Sequence, residues 1–281
     1  MSRNGSEIAI GSIKRFWENN PVAAAGIDAE PGTAEFFRAF DGMREEDGCE
    51  PYELSERIHG YSSARGLKVL DVGCGNGYVL SHYARNGGDV TGVDLTATAI
   101  DLSRKRFALA GLRGKFVEVD GEHLPFPNDH FDIVCSMGVL HHISNPDPLV
   151  AEIFRVLKPG GRMIVMLYHR YSWKNLVLLR ARRLFDPKFR GKSQQEALNM
   201  NDGDDCPLAL VYSRSEAAGL FHRFANLEFS LTLLSWKQLF MVPPLVRFAE
   251  RLLPPSSRSW PARLMGWNLN IHAVKPAAGK V

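Results

Sequence analysis

The fold of this chain is decided by the stretch Val69-Leu70-Asp71-Val72-Gly73-Cys74-Gly75-Asn76-Gly77-Tyr78. A short apolar run with the pattern of a buried strand leads into three glycines at alternate positions, and a helical pattern follows them. Glycine lacks a Cβ, so the backbone of such a turn can approach a ligand closely. A strand, a glycine turn and a helix in this order are the context in which a glycine motif predicts a binding site.

The spacing of the glycines narrows the kind of ligand. A dinucleotide site prefers G-x-G-x-x-G, whose third glycine would stand at Tyr78, and it places the pyrophosphate at the helix N-terminus. The spacing here is G-x-G-x-G, through Gly73, Gly75 and Gly77. This pattern favours a ligand that carries an adenosine without phosphates.

Acidic residues end the next two predicted strands. Asp94 falls beside the glycine loop, where its carboxylate can accept hydrogen bonds from both ribose hydroxyls. Asp120, followed by Gly121 and Glu122, ends the third strand, so its carboxylate or the adjacent backbone would meet the adenine edge. A lone acid at a strand end is usually a helix cap. Strand ends in register at three successive strands argue against that interpretation.

Short β-rich runs alternate with helices along most of the chain. The predicted strands are Lys68–Val72, Asp89–Val93, Gly114–Val119, Phe131–Ser136, Arg162–Tyr168, Leu227–Leu234 and Trp267–Val274. The predicted helices between them are Gly77–Arg85, Ala97–Ala110, Pro146–Leu157 and Ser213–Phe224, with a turn at Pro159-Gly160-Gly161. This alternation predicts a mostly parallel sheet.

From Leu67 to Tyr168 the sequence resembles the class I S-adenosylmethionine-dependent methyltransferases. Besides the glycine loop and Asp94, the resemblance rests on Asp120-Gly121-Glu122-His123-Leu124-Pro125-Phe126, Phe131-Asp132-Ile133-Val134, Val139-Leu140-His141-His142 and Leu157-Lys158-Pro159-Gly160-Gly161. It implies an α/β, Rossmann-like three-layer sandwich with a seven-stranded, mostly parallel sheet whose last strand is antiparallel.

The resemblance also implies S-adenosylmethionine as the cofactor and a role for each matching residue. Asp71 and the loop Gly73, Cys74, Gly75 and Gly77 would hold the methionine end. Asp94 would hold the ribose, Leu95 the adenine face, and Asp120, Gly121 and Glu122 the adenine edge. Ser136 and Met137 would flank the reactive methyl group.

The rest of the chain divides around this unit. We predict a helical N-terminal cap over residues 1–60 and a methyltransferase domain over 61–281, interrupted by insertions at about 169–212 and 235–266. Insertions that follow strand ends border the crevice where α/β proteins bind ligands. We therefore expect a small-molecule methyl acceptor to lie against the two insertions.

Four residues near the expected methyl position are candidates for catalysis. His141 and His142 follow the fourth strand, and an imidazole with an ordinary pKa near 6.5 can remove a proton from a weakly acidic acceptor. In the structural alternative, one histidine packs in the core and the other hydrogen-bonds the backbone. Tyr168 and His169, at the tip of the fifth strand, would orient the acceptor, or Tyr168 would close the apolar face of that strand.

The insertions carry basic amphipathic segments and one acidic loop. In Tyr171–Phe185 one helical face holds Trp173, Val177, Ala181, Leu184 and Phe185, and in Met241–Leu253 it holds Leu245, Phe248, Ala249 and Leu252. Such helices can lie on an anionic membrane surface or cover a pocket for a lipophilic acceptor. The alternative is that they cover the core and leave their arginines in water. Asp202, Asp204 and Asp205 would contact a cationic or hydroxylated acceptor, bind a divalent ion, or form a solvated loop; we include no metal ligand among the predicted site residues.

Composition excludes several classes of protein. With 45% hydrophobic and 23% charged residues over 281 positions, the chain is globular rather than disordered. A net charge of +3 does not indicate a nucleic-acid partner, and any basic surface has to be local. The four cysteines form no C-x-x-C pair, and no apolar run spans a bilayer.

We therefore expect a cytoplasmic enzyme, with peripheral membrane contact left open and the oligomeric state undetermined. A nucleotide-dependent oxidoreductase and a non-catalytic S-adenosylmethionine-binding scaffold are the alternatives.

Overall fold

A single seven-stranded sheet organises the chain. The computed structural model describes residues 10–22, 24–46, 49–121, 123–240 and 242–277. The strand order is β3-β2-β1-β4-β5-β7-β6, and all neighbours are parallel except those of β7, which runs antiparallel to β5 and to β6. The strands are β1 Lys68–Val72, β2 Asp89–Asp94, β3 Lys115–Glu118, β4 Phe131–Met137, β5 Leu157–Tyr168, β6 Ala225–Thr232 and β7 Asn268–Val274.

Helices cover both faces of this sheet. They are α1 Ile10–Asn19, α2 Ala34–Glu45, α3 Tyr52–His59, α4 Tyr78–Arg85, α5 Ala97–Leu109, α6 Asp147–Val156, α7 Leu179–Phe185, α8 Gln194–Asn199, α9 Arg214–Leu220, α10 Trp236–Phe240, α11 Pro243–Leu252 and α12 Trp260–Met265. None of the described helices is long and apolar enough to cross a membrane.

Successive residues of a strand enter different cores, as the two-residue period of a strand requires. In β1, Val69 belongs to the core beneath α2 to α5, and Leu70 belongs to the core beneath α6 and α9. In β4, Ile133 belongs to the first of these cores and Val134 to the second. The predicted three-layer sandwich and its antiparallel last strand are therefore confirmed.

Two local predictions were wrong. The fifth strand does not begin at Arg162 but at Leu157, which pairs with Phe131 before the register shifts, so Pro159-Gly160-Gly161 lies within the strand's bounds rather than in a turn ahead of it. The segment predicted as one helix over 171–185 begins with a π-helical turn, Lys174–Leu178, and continues as α7. A π-turn adds a residue to the helical repeat. The apolar face is consequently rotated, with Leu179 buried and Leu184 and Phe185 exposed.

The second insertion also differs from expectation. Met241, the predicted start of its helix, lies outside the described residues, and α11 occupies Pro243–Leu252. Its inward side chains are Val246 and Ala249, whereas the predicted apolar positions Leu245, Phe248 and Leu252 are exposed. This helix therefore does not cover the core with its large apolar side chains.

A buried arginine ties the N-terminal helices to the domain. Arg106, on α5, donates to the carbonyl of Asn76 at 2.9 Å and to the carboxylate of Asp41 on α2 at 2.7 Å. Its guanidinium also lies 4.5 Å from the ring centroid of Phe37. One side chain thus links α2, α5 and the glycine loop.

We expect Arg106→Met to lower the free energy of unfolding by about 2 kcal/mol, because it leaves a carboxylate and a carbonyl without their donor. The matched control is Lys105→Met, which removes an exposed pair with Asp101 and costs about 0.5 kcal/mol or less. Urea denaturation measures both values. Equal losses in the two variants would contradict the anchoring role of Arg106.

Candidate functional site

The glycine loop between β1 and α4 is held by backbone hydrogen bonds to the next strand. The amides of Gly73 and Cys74 donate to the carbonyl of Val93 at 2.8 and 3.0 Å, and the amide of Gly75 donates to Asp94 Oδ2 at 3.0 Å. Gly73 has φ +79°, and a Cβ there would collide with Val139. The loop therefore needs glycine for its backbone conformation and for close packing.

Two carboxylates at the ends of β1 and β2 are in different states. Asp94 Oδ1 also accepts from the amide and hydroxyl of Thr96, so its carboxylate is fixed in orientation. Asp71 is buried, and its Oδ1 has no hydrogen-bond partner within the described part of the chain. Burial, followed by the nearby charge of Asp94, raises the pKa of Asp71 to about 8. An unpartnered buried carboxylate oxygen suits a cationic ligand group.

A cavity of about 1020 Å³, its mouth included, opens beside this loop. Six of the predicted cofactor residues and one predicted catalytic residue line it: Gly73, Gly75, Asp94, Leu95, Gly121, Met137 and His142. The remaining wall is mainly apolar.

Other predicted cofactor residues do not line the cavity. Asp71, Cys74 and Ser136 are buried behind it, and Ser136 donates to the carbonyl of Val72 at 2.9 Å. Gly77 packs against Ser103 of α5. Asp120 is exposed and accepts from the amide of His123. Glu122 lies outside the described residues.

One wall of the cavity comes from residues that the motif analysis did not include. Ile10, Ile13 and Trp17 of α1, together with Val22, line this side of the cavity. Glu18 fixes this helix, since its carboxylate accepts from the amides of Ala97 and Thr98 at the start of α5. The helical spacing of Ile10, Ile13 and Trp17 is visible in the sequence and indicates an apolar helix face, but it does not identify what that face covers.

The two adjacent histidines have different environments. His141 is fully buried and stacks on Tyr168 with 3.7 Å between ring centroids, and it does not line the cavity. His142 lines the cavity, and its Nδ1 lies 2.6 Å from the carbonyl oxygen of Leu208. A carbonyl only accepts, so Nδ1 carries the proton and Nε2 of the neutral ring is free to act as a base. Burial lowers the pKa of both imidazoles.

Tyr168 and His169 are framework residues in this structure rather than cavity walls. The Tyr168 hydroxyl donates to Asp202 Oδ1 at 2.6 Å, and its ring lies between His141 and Trp267. His169 is buried, with Nδ1 3.2 Å from the carbonyl oxygen of Gly266.

The acidic loop is split between two environments. Asp202 contacts Tyr168, whereas Asp204 forms an exposed ion pair with Lys188 and Asp205 is exposed. His142, Asp202 and Cys206 present potential ligand atoms within 4.8 Å of one another. These residue types occur in transition-metal sites, although the sequence predicted no metal ligand.

Residues 70–165 match the model of a methyltransferase domain. These residues form a class I methyltransferase domain. Domains of this family use S-adenosylmethionine as their cofactor. The match assigns the glycine loop to methyltransferases rather than to nucleotide-dependent oxidoreductases.

Curated relatives of the methyltransferase domain act on different small molecules. The chain is 37% identical over 119 residues to the sterol 4-C-methyltransferase strm-1 of Caenorhabditis elegans, covering 42% of this chain and 33% of that protein. It is 39% identical over 123 residues to a fatty-acid O-methyltransferase of Mycolicibacterium smegmatis, covering 42% and 44%. It is 34% identical over 110 residues to the ubiquinone/menaquinone biosynthesis C-methyltransferase UbiE of Shewanella pealeana, covering 37% and 44%. The chain thus spans less than half the length of these relatives.

Solved structures support the fold. A methyltransferase from Methanosarcina mazei superposes with a TM-score of 0.54 at 22% identity, covering 79% of this chain and 97% of that one. A phosphoethanolamine N-methyltransferase from Haemonchus contortus superposes with a TM-score of 0.60 at 16% identity, covering 96% and 60%. At these identities the likeness concerns the fold alone.

The raised pKa of Asp71 makes a prediction about pH. A carboxyl whose folded-state pKa lies above its unfolded value destabilises the fold as pH rises from about 4 to 8, because the native state then holds a proton that the unfolded chain has lost. Between pH 5 and pH 7.5 we expect the cofactor-free wild type to lose at most about 3 kcal/mol relative to Asp71→Asn. Urea denaturation of both proteins at the two pH values measures this difference, and parallel pH profiles would contradict it.

Proposed function

We propose that this chain transfers a methyl group from S-adenosylmethionine to a small, lipophilic acceptor. The observation that carries the proposal is the single cavity that joins the glycine loop, the carboxylate of Asp94 and the imidazole of His142 within the matched domain. A proposed binding site for the donor and a candidate base for the acceptor thus share one cavity.

The residues around the cavity fit the cofactor chemically. Gly73 and Gly75 line the part of the cavity proposed for the methionine end, and the buried Asp71, whose Oδ1 is unpartnered, lies behind this wall, where its charge would favour the ammonium group. Asp94 is oriented by Gly75 and Thr96 and would accept from the ribose hydroxyls. Leu95 and Gly121 supply the walls for the adenine. Met137 also lines the cavity, and we propose that it would lie beside the methyl group.

When bound, S-adenosylmethionine supplies an electrophilic methyl group on a sulfonium. The protein's contribution is to hold the acceptor close, in line and away from water. Trp17 and Ile13 of α1 close one side of the cavity with apolar surface, which excludes water from that side. The framework of Tyr168, His141 and Trp267 fixes the position of the neighbouring backbone.

The apolar wall favours a lipophilic acceptor. Trp17, Leu124, Val139, Ile143 and Leu149 belong to this wall, Trp17 with its ring centroid 5.0 Å from that of His142, and their side chains offer few hydrogen bonds to a sugar or a nucleotide. The names of the relatives agree, since they act on a sterol, a quinone precursor and a fatty acid. We therefore propose an acceptor with an aliphatic or isoprenoid part and one nucleophilic atom.

We assign the general base to His142 rather than to His141. His142 combines access to the cavity with a tautomer whose Nε2 is unprotonated, and its lowered pKa keeps that form present below pH 6.5. His141, Tyr168 and His169 would act as positioning residues behind it. Asp202 fits the same role through its hydrogen bond to Tyr168, and we propose that it acts without a metal ion.

Calorimetry with S-adenosylmethionine tests the donor site. We expect wild type to bind and Asp94→Ala to weaken binding by about tenfold or more, because two ribose hydroxyls lose a charged acceptor. The matched control is Asp89→Ala at the opposite end of the same strand, where the side chain is exposed. No binding by wild type, or equal binding by all three proteins, would refute the donor site.

A screen of phenols, quinones and fatty acids with labelled S-adenosylmethionine tests transfer and the base together. His142→Asn keeps a donor for the Leu208 carbonyl but removes Nε2, so we expect about a hundredfold lower turnover with unchanged cofactor affinity. The wild-type rate should stay constant as pH falls to 6.5 and decline only below it. Control proteins carry His222→Asn on the surface, and an assay with EDTA should match one without it.

Turnover that survives in His142→Asn would remove this histidine from the mechanism. An absence of transfer to any acceptor, with cofactor binding intact, would instead favour the non-catalytic scaffold.

A further inference from the structure

Positive charge is concentrated in the first half of the first insertion and in the second insertion, whereas the later half of the first insertion holds the acidic residues Glu196, Asp202, Asp204 and Asp205. Residues 170–192 contain eight basic side chains and one acidic side chain, and residues 235–266 contain five basic and one acidic. Together they hold thirteen of the 34 Lys and Arg residues but two of the 31 Asp and Glu residues. The net charge of +3 is thus the sum of two strongly basic segments and a remainder of the chain that has more acidic than basic residues.

The helix α11 in the second insertion exposes a continuous apolar stripe. Leu245, Phe248 and Leu252 recur at helical spacing and are 51%, 61% and 61% exposed. Arg247 and Arg251 are also exposed and lie along one border of this stripe. The opposite border is the buried side of the helix. Large apolar side chains of this kind seldom remain in water without a partner.

The first insertion has the same combination. At the end of α7, Leu184 is 67% exposed and Phe185 is 80% exposed, next to the basic side chains Arg182 and Arg183. The π-helical turn before α7 produces this exposure, because it rotates the following apolar positions away from the core.

A direct contact joins the two insertions. The indole Nε1 of Trp173, at the start of the π-helical turn, donates to the carbonyl of Gln238 on α10 at 2.8 Å. The helix α10 in turn packs against α11. The start of the first basic and apolar segment therefore contacts the second, and we name the two together the insertion surface, defined as residues 170–192, 236–240 and 242–264.

We propose that the insertion surface docks on an anionic lipid bilayer. An amphipathic helix with Leu and Phe on one face and Arg along its border lies in a membrane interface, with the apolar side chains among the acyl chains. Each Arg or Lys close to an anionic surface adds electrostatic attraction, and that attraction weakens with salt. The exposed side chains of Phe185 and Phe248 would enter the acyl region of the bilayer, a contact that electrostatic attraction alone does not provide.

Other partners fit this surface less well. Nucleic acid would use the arginines, but exposed Leu245, Leu252 and Leu184 have no counterpart on a phosphate backbone. A second copy of the chain would bring two basic surfaces together, and like charges would oppose the contact. An anionic bilayer satisfies both the charge and the apolar area.

Vesicle flotation of the full chain tests this proposal without any methyl acceptor. We expect wild type to float with phosphatidylcholine vesicles that contain phosphatidylglycerol, to float poorly with pure phosphatidylcholine, and to be released by high salt. Phe248→Glu should weaken binding to the anionic vesicles by about tenfold, because it removes apolar insertion and adds repulsion. Phe185→Glu and Arg247→Glu should weaken it in the same direction.

Matched controls are available outside the two basic segments, in the acidic remainder of the chain. Leu109→Glu changes an exposed apolar side chain at the end of α5, and Arg113→Glu changes an exposed arginine on the following loop. Both should bind vesicles like wild type, and calorimetry with S-adenosylmethionine confirms that each variant is folded.

Failure of wild type to float would overturn the proposal, as would equal losses in Phe248→Glu and Leu109→Glu. Competition by duplex DNA together with an unaffected Phe248→Glu would identify a nucleic-acid surface instead. Each of these outcomes is independent of whether the chain transfers methyl groups.

Discussion

The site depends on one constraint, namely the glycine loop being fixed from two sides. The strand β2 holds it through the Val93 carbonyl, and α5 holds it through Ser103, whose hydroxyl donates to the carbonyl of Gly75 at 2.9 Å, and through Arg106 at Asn76. A Cβ at Gly77 would lie 3.0 Å from the Ser103 hydroxyl. Because the loop is fastened in this way, its amides and the Asp71 carboxylate are preorganised before any ligand binds.

Sequence alone predicted the parts of this arrangement that follow from local pattern. Short apolar runs placed β1 correctly and β4 to within one residue, and the glycine spacing led to the loop. Local pattern failed at Lys174–Leu178, where a π-turn rotates the helix face, and at Ile10, Ile13 and Trp17. The spacing of those three residues defines an apolar stripe, but only tertiary packing decides which surface it meets.

The two histidines illustrate the same limit. His141 and His142 are neighbours with identical intrinsic chemistry. Their positions in the sequence therefore do not show which histidine could act as a base and which one packs in the core. The separation comes from Leu208 and Tyr168, which are distant in sequence. A carbonyl hydrogen bond sets the tautomer of one ring, and aromatic stacking buries the other.

The insertion surface and the apolar cavity are related through the proposed acceptor, because a lipophilic molecule has to pass from a bilayer to the cavity. A lipophilic acceptor leaves a bilayer at a cost of about 0.8 kcal/mol for each CH₂ group exposed to water, so free diffusion through solvent is slow for long chains. An enzyme that holds Phe248 and Leu252 at the lipid interface would lie close to the bilayer. The acceptor would then travel a shorter path through water between the bilayer and the cavity. The acidic remainder of the chain is repelled by the same anionic surface, which would orient the molecule. In the proposed docking on a bilayer, the distribution of charge would select the orientation of the protein and the exposed apolar side chains would set the depth of contact.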